Sequence, residues 1–286
     1  MEKPEVSVES KRVDIEVDGY ESVGIRYLTA GEKNEGPPVV LLHGIGLDAA
    51  SVSWKYALPH FADEHRVIAL DFPGHGESDE SELYTTEYYI NVLGGLLDVL
   101  DIDTVCLAGI SMGGAVALGH TLDNQQMVER LVLVDSYGLG RDAPWRPGGS
   151  ALVRMPGFDG LLGAGFALNP AIVAGSLAGV VVNTPAGFVT DVYRAVGPAA
   201  ARALSQWQRD EFRACGLRTC YLDRLSELRT PTLLIHGRED PIFPIGWSER
   251  ATERIRENAF EVFENCGHWP PREYPEKFNR VVSGFL

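Results

Sequence analysis

A chain of 286 residues with 45% hydrophobic content is long enough for one large α/β domain with its own core. Its formal net charge of −15 would repel nucleic acid and anionic membranes, so neither is expected as a partner. Four cysteines, Cys106, Cys215, Cys220 and Cys266, show no C-x-x-C or metal-type spacing, which points to reduced thiols and no metal site.

The first five residues carry charge and proline where an export signal needs an apolar run. The longest nearly apolar stretch, residues 171–182, is too short to span a bilayer and rich in Gly and Ala. A cytoplasmic protein is the expectation. Only five of its 25 basic residues are lysine, a balance shared by proteins of saline cytoplasms and by ordinary acidic ones.

Residues 11–17 and 23–29 group β-formers around Asp18-Gly19-Tyr20 and predict an antiparallel hairpin. Six apolar runs follow, at 38–42, 66–70, 104–108, 131–134, 231–235 and 259–263, and read as strands. Helical stretches at 52–64, 85–100, 112–122 and 248–257 lie between them. Strands that are apolar throughout and separated by helices predict an α/β fold, a doubly wound, mostly parallel eight-stranded sheet covered on both faces. From residue 139 to about 225 the alternation fails: prolines and glycines are frequent, no strand is convincing, and helical pieces such as 199–212 stand alone. The predicted organisation is a core of residues 1–138 and 226–286 interrupted by a helical cap at 139–225.

In such sheets ligands gather at the carboxyl ends of the strands. The third apolar run ends there in Gly109-Ile110-Ser111-Met112-Gly113-Gly114, a G-x-S-x-G pattern at a strand-to-helix corner. Ser111 is the candidate nucleophile. A nucleophilic serine needs a base, an acid to orient the base, and donors for the oxyanion. His43-Gly44-Ile45-Gly46, at the end of the first central strand, aims a backbone N–H toward the serine, so Ile45 N–H and Met112 N–H are the candidate oxyanion donors. Gly44 and Ile110 border the space where a substrate would react. The loop 71–79 (Asp71-Phe72-Pro73-Gly74-His75-Gly76-Glu77-Ser78-Asp79) reads as a structural turn, and so does His43.

Asp240 lies in a proline-bounded turn, His236-Gly237-Arg238-Glu239-Asp240-Pro241, directly after a buried strand, and is the candidate acid. Asp135, at another strand end, is its rival. Asn265-Cys266-Gly267-His268-Trp269-Pro270-Pro271 follows the last strand and supplies His268 as base, completing the order Ser, Asp, His.

With H-G-I-G, D-F-P-G-H-G-E-S, G-I-S-M-G-G, H-G-R-E-D-P-I-F-P and C-G-H-W-P-P in this order, the chain resembles the α/β-hydrolase fold family. S-M-G-G and C-G-H-W, with Pro275-Glu276-Lys277-Phe278-Asn279 beyond, are similar to the members that hydrolyse carbon–carbon bonds of ring-fission products. That resemblance implies Trp269 as a pocket wall and a cap arginine for a substrate carboxylate, a role Arg194 could fill. Ile110 stands where those enzymes usually carry Asn. The resulting expectation is a serine hydrolase that uses no cofactor and no metal and cleaves a small, partly apolar ester or related acyl compound. The alternatives are a carbon–carbon hydrolase, an acyltransferase, or a ligand binder that retains the triad. The sequence leaves the oligomeric state open.

Overall fold

The computed structural model describes residues 6–142, 154–155, 170–213 and 216–286. The predicted hairpin is formed by β1 (Glu9–Ile15) and β2 (Val23–Ala30), with Val13 opposite Ile25. The chain continues through β3 (Val39–Leu42), the short helices α1 (Ala50–Ser53) and α2 (Ala57–Phe61), β4 (Val67–Leu70), α3 (Thr86–Val99), β5 (Val105–Ile110), α4 (Met112–Asp123) and β6 (Val128–Val134). An inserted segment then contributes α5 (Pro170–Ala178), α6 (Phe188–Ala195), α7 (Pro198–Glu211) and a small ladder of β7 (Phe212–Arg213) with β8 (Gly216–Leu217). The main sheet resumes with β9 (Thr232–Gly237), α8 (Gly246–Thr252), β10 (Asn258–Phe263), α9 (Pro270–Glu273) and α10 (Pro275–Ser283).

The eight-stranded sheet has the order β1-β2-β4-β3-β5-β6-β9-β10. Only β2 runs against its neighbours, β1 and β4; every other pairing is parallel. All residues of β3, β4, β5 and β9 are buried, which is why they read as unbroken apolar runs. The alternation of side chains divides them between two cores. Val40, Leu42, Leu107 and Leu133 pack with α3, α4 and α8 on one face. Val39, Leu41, Ala108, Ile110 and Val134 pack with α1, α2 and α10 on the other. The sheet is therefore doubly wound, and the strand order reverses at β3, beside β5.

Local sequence explains the differences from expectation. The predicted helix 52–64 is two short helices broken at Trp54–Tyr56; Pro59 has no N–H to give to the carbonyl of Lys55 one turn earlier, so a continuous helix would lose a bond at the break. β6 starts three residues early: Val128 and Arg130 stand opposite Val105 and Cys106 of β5, with Glu129 bulged between them and exposed, so the apolar run is interrupted there. The two-residue strands β7 and β8 carry too few residues for a period-2 pattern. Among the described residues no helix is long and apolar enough to cross a membrane. Cys215 lies outside the described residues, whereas Cys106, Cys220 and Cys266 are free thiols.

Candidate active site

Ser111 joins β5 to α4 with φ 57° and ψ −123°, a conformation that L-residues rarely adopt. Neighbouring glycines allow it. A side-chain carbon at Gly109 would collide with the backbone of Gly113, and one at Gly113 with the carbonyls of Leu42 and His43. Ser111 N–H donates to Val134 O at 3.0 Å, and Ser111 O accepts from Tyr137 N–H at 3.0 Å, so the corner is pinned to the end of β6. The side chain is nearly buried, and among the described residues its Oγ makes no hydrogen bond.

The loop after β3 carries one of the two candidate oxyanion donors. Gly44 N–H is taken by Asp48 Oδ2 at 2.7 Å and Gly46 N–H by His75 Nε2 at 3.0 Å, which leaves Ile45 N–H without an acceptor among the described residues. Met112, buried at the first position of α4, likewise has no residue one turn earlier to receive its N–H. A Cβ at Gly44 would stand 3.3 Å from Ser111 Cβ and 3.7 Å from Oγ, so this loop borders the serine directly.

Asp48 was not singled out by sequence, yet it shapes the loop. It also accepts from Ala49 N–H at 2.8 Å and Ser53 Oγ at 2.7 Å, and burial pushes its carboxyl up to about 6. His43 and His75 hold the same loop from beneath. His43 Nε2 accepts from Phe72 N–H at 2.9 Å, so its proton sits on Nδ1 and is donated to Gly44 O at 2.6 Å. Burial lowers His43 to about 4 and His75 to about 3, and both stay neutral struts. Asp71 accepts from Ala50 N–H, Glu77 N–H and Arg26, as a turn residue does.

Asp240 and His268 meet. Asp240 Oδ2 accepts from His268 Nδ1–H at 2.8 Å, while Oδ1 accepts from Ile242 N–H at 2.7 Å and Phe243 N–H at 3.3 Å. The imidazole is walled by Phe243 and Trp269, ring centroids 5.5 and 5.8 Å away, and its backbone N–H reaches Val180 O of the inserted segment at 2.8 Å. Two further residues missed by sequence hold this loop. Glu273 Oε1 accepts from Gly267 N–H at 2.9 Å and its Oε2 from Val182 N–H at 2.9 Å. Arg272, fully buried, donates to Val52 O at 2.6 Å and to Asp191 of α6 at 2.7 Å, with its guanidinium over the Phe188 ring. Their signal in the sequence is only a charged pair behind two prolines.

Trp269 packs edge-on against Phe188 and donates Nε1–H to Ser53 Oγ at 2.8 Å, so its indole lies between α1 and α6. Ile110 is buried in the apolar core facing α1 and α2. Arg194 is exposed and lines an open cavity of about 290 Å³ with Arg26, Lys55, Asp71 and Asp191; Ser111, Asp240 and His268 are not on its wall. Cys266 is a poor nucleophile, because burial and the nearby Glu273 carboxylate push its thiol far up. Asp135, Asp240 and His268 hold one ligand atom each within 4.8 Å of one another, with the Nδ1–H of His268 already committed to Asp240.

The sequence matches the profile of the alpha/beta hydrolase family over residues 39–281, a span that holds the Ser111 corner and the Asp240–His268 pair. The chain belongs to the alpha/beta hydrolase family. This hydrolase is 30% identical over 268 residues to the 2-hydroxy-6-oxo-2,4-heptadienoate hydrolase of Pseudomonas putida, covering 88% of this chain and 89% of that one. It is 33% identical over 279 residues to the 2-hydroxy-6-oxononadienedioate/2-hydroxy-6-oxononatrienedioate hydrolase of Paraburkholderia xenovorans, covering 94% and 92%. Among solved structures it superposes on a thermophilic esterase from Thermogutta terrifontis with a TM-score of 0.78 at 24% identity, covering 96% and 98%, a likeness of fold.

Proposed function

We propose that this hydrolase cleaves a small, partly apolar carboxylic ester or related acyl compound through an acyl-enzyme on Ser111. The observation that carries the reading is the 2.8 Å bond from His268 Nδ1–H to Asp240, made by two strand-end loops at the end of the sheet where Ser111 turns its corner. In this mechanism His268 takes the Ser111 proton on Nε2 as Oγ attacks the carbonyl. Asp240 holds the imidazole in the Nδ1–H tautomer and stabilises the imidazolium. Ile45 and Met112 N–H receive the oxyanion, and losing one such donor costs about 100- to 1000-fold in rate. The first product leaves with the proton from His268. Water, deprotonated by His268, then releases the acid.

A second reading is carbon–carbon hydrolysis of a ring-fission dienoate, favoured by the substrates in the names of the relatives above. That chemistry asks for a cation on the substrate carboxylate and a polar group close to the serine. Arg272 is committed to Val52 O and Asp191, Arg194 lines a separate cavity, and Ile110 sits in an apolar core. A site without a partner for a buried polar group loses orders of magnitude against the substrate that carries it. These placements support the ester.

The test compares kcat/KM for a short-chain aryl ester and a 2-hydroxy-6-oxo-dienoate on one preparation, with Ser111→Ala as blank. The ester is expected to be the better substrate, and both activities should vanish in the blank. A dienoate preference from the outset replaces the ester reading with the carbon–carbon one. Undiminished turnover by Ser111→Ala rejects both.

A further inference from the structure

β6 and β9 are parallel neighbours, with Val134 opposite Ile235, so the loops that leave them stand side by side. Each carries a carboxyl. Asp240 ends the β9 loop, and Asp135 sits immediately after β6 with φ 41°, a backbone conformation that favours glycine. The strained residue is fully buried and anchored by its own N–H to Ile235 O at 3.0 Å and by its Oδ1, which accepts from Gly237 N–H at 2.9 Å. Its second oxygen, Oδ2, has no hydrogen-bond partner among the described residues. One atom of this carboxyl lies within 4.8 Å of both the Asp240 carboxylate and the His268 ring.

Two carboxylates in one dry pocket do not both ionise. Hydrogen bonds decide which does. Asp240 accepts three, from Ile242 N–H, Phe243 N–H and His268 Nδ1–H, whereas Asp135 accepts one. The charge therefore resides on Asp240 and the proton on Asp135. The other titratable groups facing Asp135 do not alter this. His236 Nε2, 3.5 Å from Asp135 Oδ1, gives its proton to Phe243 O at 3.1 Å and stays neutral by burial, and the Cys266 thiol is held protonated. Glu273 adds further negative potential. Burial first, and Asp240 second, raise the Asp135 carboxyl well above the usual range.

We propose that Asp135 is a second, reserve acid for His268, uncharged while Asp240 carries the negative charge and able to orient the imidazole when that charge is removed. The proposal rests on the serine hydrolase reading above. In Asp240→Asn the repelling charge is gone; Asp135 loses its proton to solvent, and its unpartnered Oδ2 accepts from His268 Nδ1–H. Burial raises the Asp135 carboxyl even without the Asp240 charge beside it, so the variant's activity must follow the ionisation of Asp135.

The experiment measures kcat/KM on the aryl ester from pH 5 to 10 for wild type, Asp240→Asn, Asp135→Asn, Asp135→Ser and the double variant Asp135→Asn/Asp240→Asn. Proton NMR of the low-field His268 Nδ1–H runs beside it. Replacing the triad acid by its amide lowers the rate by about 10⁴-fold where nothing substitutes for it. Here Asp240→Asn is expected to lose only about 10²-fold at high pH, relative to that same benchmark. Its acid limb should move upward from that of wild type, and the low-field proton should persist. The double variant should lose a further factor of about 10² and the proton signal, again on that scale. Asp135→Ser serves in place of Asp135→Asn if the amide fails to fold. Equal rates for Asp240→Asn and the double variant, or an unmoved pH limb, overturn the proposal. It is also overturned if Asp135→Asn alone loses as much as the double variant, since Asp135 would then be the primary acid. Ser111→Ala separates the failures: activity there discards the serine mechanism itself.

Discussion

Ser111 holds a φ of 57° that its neighbours impose and that a side chain resists, so part of the fold's stability is spent on aiming one hydroxyl. Such a residue costs about 1–3 kcal/mol. Ser111→Gly is therefore expected to abolish ester turnover while unfolding at higher urea than Ser111→Ala, by about 1 kcal/mol after the extra entropy of glycine is deducted. An equal midpoint for the two variants would show that the corner is not strained. The histidines beneath the loop after β3 give a pH signature. Burial holds His43 at about 4 and His75 at about 3 in the fold, against about 6.5 in the unfolded chain. Between those values only the unfolded chain takes up these protons, so stability is present above pH 6.5 and is lost as pH falls through the window. Asp48 acts in the opposite sense, since its folded carboxyl at about 6 binds a proton that the unfolded one, near 3.9, has released. Asp135, raised by burial, acts like Asp48, and His120 and His236, lowered by burial, act like His43 and His75, so four histidines outweigh two carboxyls, and each uncompensated proton is worth about 1.4 kcal/mol per pH unit. The urea midpoint should fall from pH 7 to pH 5, and His75→Gln should flatten that slope. A midpoint that rises over this range would mean that the two rings are charged in the fold.

At the level of elements, α7 is moored to the core by one buried carboxylate. Glu211 accepts from Thr86 Oγ1 at 2.5 Å, Tyr137 O–H at 2.7 Å, Thr219 Oγ1 at 2.7 Å and Thr219 N–H at 2.8 Å, joining the end of α7 to the start of α3, the loop after β6 and the loop that follows β8. Removing it leaves several buried donors unpaired, at a cost of about 3 kcal/mol. Glu211→Ala should show that loss in urea unfolding, whereas exposed Glu87→Ala should change stability by less than about 0.5 kcal/mol. A loss under about 1 kcal/mol would mean that apolar packing of Trp207, not the carboxylate, anchors α7. Nothing in the sequence marked Glu211, and the reason is general. The strands were legible because burial on both sheet faces demands continuous apolar runs, and Ser111, Asp240 and His268 stood out as candidates because each sits in a Gly- or Pro-rich strand-end turn. Glu211, Arg272 and Glu273 act through partners 6 to 220 positions away, and Asp48 through the fold of its own loop, relations that no sequence motif encodes. Helices α9 and α10 were missed for a related reason: they start at prolines, which read as loop until the chain behind them is seen packing Phe278 into the core.

For the whole molecule, 40 acidic side chains against 25 basic ones place a net −15 on the chain. Its surface ion pairs, such as Arg224–Asp123 at 2.9 Å and Arg250–Asp142 at 2.9 Å, join half-exposed partners. Each is worth about 0–1 kcal/mol and is screened along with everything else. Self-repulsion is long-ranged by comparison, acting among all the unpaired carboxylates at once, and the screening length falls from about 10 Å at 0.1 M salt to about 3 Å at 1 M. Salt should therefore remove more repulsion than attraction. Tm is expected to climb steadily between 0.05 and 2 M KCl, levelling off once the screening length drops below the spacing of neighbouring charges. Scanning calorimetry across that series, with equal osmolality of sucrose as the uncharged control, reads the effect directly. If Tm is flat in KCl, or climbs no more than in sucrose, the acidic surface confers solubility without burdening the fold, and the scarcity of lysine has no bearing on a saline cytoplasm.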